Sequence, residues 1–168
     1  YQRYLKNYLR CVAGVDRSVG TLLGWLDAHP DVKANTLVVY ASDQGFFLGE
    51  HGFYDKRWMD EECLRMPLLV SWPGHVDAGR KIPQLTQNID FAPTFLELAG
   101  VPIPAGLHGK SLVPLLEGKQ VAWRDAIYYH YYESQATHRV PAMYGVRTER
   151  YKLVRYYEPQ WNAYELFD

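Results

Sequence analysis

A chain of 168 residues, 48% of them apolar and 22% charged, is long enough to enclose a core and too apolar for a disordered segment. Its formal net charge of −1 excludes a dominant electrostatic footprint for nucleic acid or an anionic membrane surface. No apolar run approaches the roughly 18 residues of a membrane helix, and two cysteines make neither a disulfide framework nor a metal motif.

Apolar residues at 4, 5, 8, 9, 12, 15, 19, 22, 23 and 26 recur at intervals of three and four. This spacing predicts an amphipathic helix with its apolar stripe against a sheet, and His29-Pro30 ends it. A polar segment, 31–35, leads into 37–41, an apolar and β-branched run of the type expected for a buried strand. Ser42-Asp43-Gln44-Gly45 stops that run. An acidic residue at the carboxyl end of an interior strand stands where open α/β sheets bind ligands. A loop bearing Glu50, His51, Asp55, Lys56 and Arg57 follows, then a short helix over 60–65 and a second strand over 68–72. On pattern alone this is also what a solvated βα connection looks like.

Pro73-Gly74 opens a loop that runs to 83, and 84–89 reads as a short strand. Asp90 is placed to N-cap a helix that ends at Gly100. Residues 101–104 form an extended linker, and 111–116 a helical turn closed by Gly118. From Ala126 the texture changes to aromatic and β-branched residues. Strands over 127–132, 144–147 and 151–157, with a turn at 148–150, predict a small antiparallel sheet. Its tyrosines read either as a packed sheet face with hydroxyls reaching water or as a sugar-contacting surface. Cys11 and Cys63 read as small buried hydrophobes. Asp125, like Asp90, reads as a capping or turn residue.

The run Y-A-S-D-Q-G-F-F-L-G-E-H-G-F-Y-D-K-R-W-M, followed by L-R-M-P-L-L-V-S-W-P-G, closely resembles the type I sulfatases. These are the formylglycine-dependent sulfate-ester hydrolases of the alkaline-phosphatase-like superfamily. The resemblance extends over nearly the whole chain. It implies an α/β fold: residues 1–108 as the C-terminal part of an α/β/α catalytic domain, and 109–168 as a smaller antiparallel β subdomain, truncated at its end. It also implies a periplasmic, secreted or lysosomal setting. The family's C-x-P-x-R or S-x-P-x-R motif, whose first residue becomes formylglycine, does not occur. Cys11 is followed by V-A-G-V, Cys63 by L-R-M-P, and Ser71, in S-W-P-G-H, lacks the arginine. The resemblance therefore reads the chain as the C-terminal fragment of an enzyme whose nucleophile and first acidic metal ligands lie in a missing N-terminal half, and the fragment alone as inactive.

By the same resemblance Asp43 and Gln44 are ligands of a calcium ion, and Lys56 reaches the sulfate oxygens. The chemistry suits those residue types. A hard cation takes oxygen ligands, and a fixed ammonium neutralises charge as the S–O bond breaks. His51, His138 and Arg139 are candidates for lining the substrate pocket. The expected partner is a small-molecule or glycan sulfate ester, most plausibly a sulfated carbohydrate, with no nucleic acid or membrane. Two other readings remain open: a phosphodiesterase or phosphonate monoester hydrolase of the same superfamily, and a non-catalytic relative that binds sulfated glycans.

Overall fold

The computed structural model describes residues 1–133 and 138–168. Helix α1, Gln2–Asp27, occupies the stretch that its periodicity predicts, and α2, Pro30–Ala34, follows with proline in its first turn. Strand β1, Val38–Ala41, pairs antiparallel with β2, Leu68–Ser71, in the register Val38↔Ser71 to Ala41↔Leu68. Between them lie the motif loop and α3, Glu61–Leu64. Helix α4, Phe91–Leu98, and the short α5, Val113–Leu116, come next. The chain then enters a four-stranded meander: β3 Ala126–Tyr131, β4 Met143–Thr148, β5 Lys152–Tyr156 and β6 Ala163–Phe167. All three pairings are antiparallel, and the turn after β4 is closed by mutual hydrogen bonds between Thr148 and Tyr151. Among the described residues no helix is long and apolar enough to cross a membrane.

Period-two alternation decides what the meander buries. Met143 and Gly145 on β4 and Lys152, Val154 and Tyr156 on β5 face inward, while Tyr144, Val146 and Leu153 face out. Met59, Val140, Met143, Val154 and Tyr156 form the core beneath, with Trp58, Leu64, Tyr129 and Tyr131 packed around them. The sheet thus closes over the end of the motif loop. A second core joins Leu112, Leu115 and Leu116 to Leu68, Val70, Phe91 and Trp123. One face of β2 therefore meets α5, while β1, Leu69 and Val70 border a groove of about 370 Å³ under α1. Helix, sheet and helix layers follow in that order, as the α/β reading expects.

Several expectations change. The apolar stripe of α1 faces β1–β2, yet no residue of α1 is buried. Two four-residue strands of about 13 Å cannot cover a helix of about 39 Å. Within residues 1–168 the strand at 37–41, expected to be buried, is half-buried, and Cys11, on α1, is exposed. Cys63 is buried as expected, and desolvation pushes its thiol up to about 11, which leaves it inert at neutral pH.

Residues 84–89 form no strand, because side chains take up their polar groups. Trp123 Nε1 donates to the Leu85 carbonyl at 2.7 Å, and the Gln87 N–H donates to Asp90 Oδ2 at 2.8 Å. Nor does the Asp90 side chain cap α4. It accepts the Gln87 and Lys110 N–H groups at 2.8 Å each and a bidentate Arg124 pair at 2.5 Å, with the carboxylate fully buried. Asp125 lies in a bend before β3. Strand β6 lay outside every sequence expectation; all five of its residues are exposed.

Candidate functional site

The chain leaves β1 at Ala41, and the next residues are locked at once. Ser42 Oγ donates to the Gln44 carbonyl at 2.9 Å, and the Gln44 N–H donates to Asp43 Oδ1 at 2.9 Å. Asn88 Nδ2 holds the Asp43 carbonyl from across the molecule at 2.9 Å. Gly45 passes so close to α3 that a Cβ there would stand 2.0 Å from the Glu62 carbonyl oxygen, and its N–H donates to Cys63 O at 2.7 Å. Only glycine lets the loop run along this helix.

Lys56 comes back onto the strand end, and its Nζ donates to Asp43 Oδ2 at 2.5 Å. That charge-assisted bond, only partly opposed by burial, holds the Asp43 carboxyl below the usual carboxylate range. The Asp43 side chain is 72% exposed and Lys56 36%, so both groups stay open to solvent.

Asp55 organises the other side of Lys56. Its Oδ1 accepts the N–H groups of Lys56 at 2.5 Å and Arg57 at 3.0 Å, and Arg57 Nη1 at 2.9 Å. Burial pushes the Asp55 carboxyl up, but these donors outweigh it and leave it lowered. Arg57 Nη2 lies 2.9 Å from His138 Nε2. A guanidinium can only donate, so His138 Nε2 accepts and the imidazole carries its proton on Nδ1. From β3 the Tyr129 hydroxyl donates to the Arg57 carbonyl at 2.7 Å and also meets the Gln44 side chain. Burial raises the Tyr129 phenol, which therefore stays a donor.

Asp43, Gln44 and Lys56 thus stand together at the end of β1, and His138 joins them through Arg57. His51 turns instead to Glu62 on α3, with Nε2 3.3 Å from Oε1. Arg139, in a left-handed backbone conformation at φ 52°, borders a separate groove of about 260 Å³ with Glu158 and Trp161. Sequence reasoning gave no role to Asp55 and Arg57, which it placed in the charged loop, and none to Asn88 or Tyr129. Asp55 and Arg57 flank Lys56 in the motif and were open to view. Asn88, 45 positions from Asp43, and Tyr129, 72 from Arg57, had no local signal.

The tyrosines divide between two faces. Tyr129 and Tyr131 pack inward beside Arg57, whereas Tyr128, Tyr132, Tyr144 and Tyr157 cluster around His130 on the outer face.

A carboxylate beside a neutral amide suits a hard cation as donor chemistry. The pair supplies only part of the six to eight oxygens such an ion takes. An arriving cation would also compete with Lys56 for Asp43 Oδ2.

Comparison with known proteins bears on the whole chain. The model of the family described as N-sulphoglucosamine sulphohydrolase, C-terminal, matches residues 49–168. An N-acetylglucosamine-6-O-sulfatase of Bacteroides thetaiotaomicron is 48% identical over 171 residues, covering 99% of this chain and 30% of that protein. A structure solved in complex with its substrate D-glucosamine-2-N,6-O-disulfate is 47% identical with a TM-score of 0.88, covering 94% of this chain and 32% of that one. A phosphonate monoester hydrolase of Agrobacterium radiobacter is 27% identical with a TM-score of 0.79, covering 93% and 33%. The chain therefore spans about a third of the length of these three relatives.

Proposed function

The chain belongs to the sulfatase family, and from that premise we propose that it contributes one wall of a site that hydrolyses a sulfate ester of an amino sugar. The observation that carries this reading is the Lys56–Asp43 contact at the end of β1, where a cation and an anion both remain accessible. In this reading Asp43 and Gln44 supply a carboxylate and an amide oxygen to a calcium ion, which when bound adds a fixed positive charge facing the sulfate. The formylglycine nucleophile and further acidic ligands lie outside residues 1–168, in which neither C-x-P-x-R nor S-x-P-x-R occurs.

Lys56 donates to the sulfate oxygens and offsets the charge that builds as the S–O bond breaks. It leaves Asp43 to do so, and the vacated Oδ2 becomes available to the cation. Asp55 fixes the backbone of Lys56 and Arg57 through their N–H groups, which aims the ammonium. Arg57, with His138 as its acceptor, borders the same wall and suits a sugar hydroxyl or a second anionic group. Arg139, on its separate groove, is at most a peripheral contact. We assign residues 1–108 to the α/β domain and 109–168 to the smaller subdomain, whose α5 packs back against β2 and whose Arg124 joins the two through the buried Asp90 pair.

The test is a paired assay of the protein carrying this chain, at its full translated length, on glucosamine 6-sulfate and on a phosphonate monoester. Sulfate-ester turnover is expected to dominate. Lys56→Ala should lower it about 100- to 1000-fold, as loss of one preorganised electrostatic donor does, with the unfolding midpoint unchanged. Turnover insensitive to Lys56 sinks the reading. Preferred cleavage of the phosphonate would favour the second reading, which the likeness to the phosphonate monoester hydrolase supports.

A further inference from the structure

The motif loop carries a second constellation on the side facing α3. Gly49, at φ 118°, and His51, at φ 54°, turn the backbone back on itself. The imidazole then stands over the first turn of α3, with the buried Phe47 ring against it. His51 Nε2 lies 3.3 Å from Glu62 Oε1, and one ligand atom each from His51, Asp60 and Glu62 falls within 4.8 Å of the others. The neighbouring Glu61 does not share in this, because Arg147 on β4 holds both of its oxygens at 3.1 Å.

Asp60 is the telling member. Its main-chain carbonyl accepts the N–H groups of Cys63 and Leu64, but its half-buried carboxylate has no hydrogen bond or ion pair among the described residues. Lys152 acts on that carboxylate only from a distance. The Lys152 ammonium sits over the Phe167 ring, 4.4 Å from its centroid. Two carboxylates and an imidazole thus come together, and among the described residues no lysine or arginine pairs with these two carboxylates.

We propose that His51, Asp60 and Glu62 form a divalent transition-metal site separate from Asp43 and Gln44. One nitrogen and two carboxylate oxygens suit zinc, cobalt or manganese, whereas calcium prefers oxygen alone. Three ligands with water in the remaining position are a common zinc arrangement. Around an ion held at about 2.1 Å the ligand atoms stand roughly 3.4 Å apart. His51 and Glu62 already meet that spacing, so Asp60 supplies the remaining closure. The bound ion would staple the 49–52 loop to α3 and fix the approach of the chain to Lys56. This inference does not depend on the sulfatase reading.

The experiment is a cobalt titration of the protein, read by the visible d–d absorption of a ligated ion. Zinc is then used as competitor, and excess calcium keeps the Asp43 side occupied. The wild type and Asp43→Asn should show the same band. His51→Ala and the isosteric Glu62→Gln should weaken binding by at least the roughly 10- to 100-fold that even a lost supporting partner costs at metal sites. Zinc should also shift the His51 imidazole signals in NMR spectra of the wild type. No cobalt band in the wild type would overturn the proposal. So would a band that survives in both His51→Ala and Glu62→Gln, or one lost only in Asp43→Asn. Glu62→Gln keeps shape and volume, so a folding failure in His51→Ala leaves the question decidable.

Discussion

The two sheets of this molecule are built from similar residues and end in opposite conditions. The four-stranded meander has a closed face. Met143 and Val154 are 0% and 1% exposed, and the motif loop with Met59 completes the core beneath them. The β1–β2 pair has neighbours on both faces, but its α1 side stays open, and Leu22 on that helix is 68% exposed. Apolar periodicity is equally clear in both regions. What differs within residues 1–168 is the area available to cover it. The candidate site lies at the seam: Asp43 follows the open pair, and Tyr129 and His138, which meet Arg57, belong to the closed side.

The comparison breaks first at the seam itself. Asp90→Ala leaves the Arg124 guanidinium buried without its carboxylate, which costs about 3–5 kcal/mol when one partner of a buried pair is removed. A chemical-denaturation midpoint that stays within error of the wild type would show that the two regions do not depend on this joint. Next is the closed core. Met143→Ala should cost about 2–5 kcal/mol, and the same measurement checks it. A small loss would mean that the meander collapses around the gap and is less tightly packed than its burial implies.

The third effect is smaller and depends on pH. The hydrogen bonds from Arg147 hold the Glu61 carboxyl below its ordinary value, against an opposing effect of burial. Its folded-state value therefore lies under the unfolded one. The stabilisation is complete above the ordinary glutamate value of about 4.3 and is lost as pH falls through the depressed one. The Glu61 side chain is 44% exposed, so solvent screening keeps the effect under about 1 kcal/mol. Urea midpoints measured from neutral pH down to acid should fall less steeply in Glu61→Gln than in the wild type. Equal slopes would remove the link between α3 and the meander from the account.

Smallest of all, measured on residues 1–168, should be Leu22→Ser, on the exposed helix face. A surface change of this kind stays within about 0.5 kcal/mol. A loss as large as that of Met143→Ala would mean that α1 is covered after all, and the contrast between the two sheets would disappear.

Residues that act through their neighbours in the chain were legible without coordinates. The 3.6-residue period of α1, the β-branched and aromatic strands β3 to β5 and the Thr148 turn are local features, because propensity and period report on a residue's own backbone. The motif around Asp43, Gln44 and Lys56 stood out through its resemblance to the sulfatases, since no period or propensity marks those residues. Only the folded chain could decide that Arg57 meets His138 across 81 positions, that Glu61 meets Arg147 across 86, and that Asp90 meets Arg124 across 34 rather than capping α4. Such partners are chosen by which surfaces close on one another. No local preference encodes that closure, because it depends on surfaces brought together from distant parts of the chain.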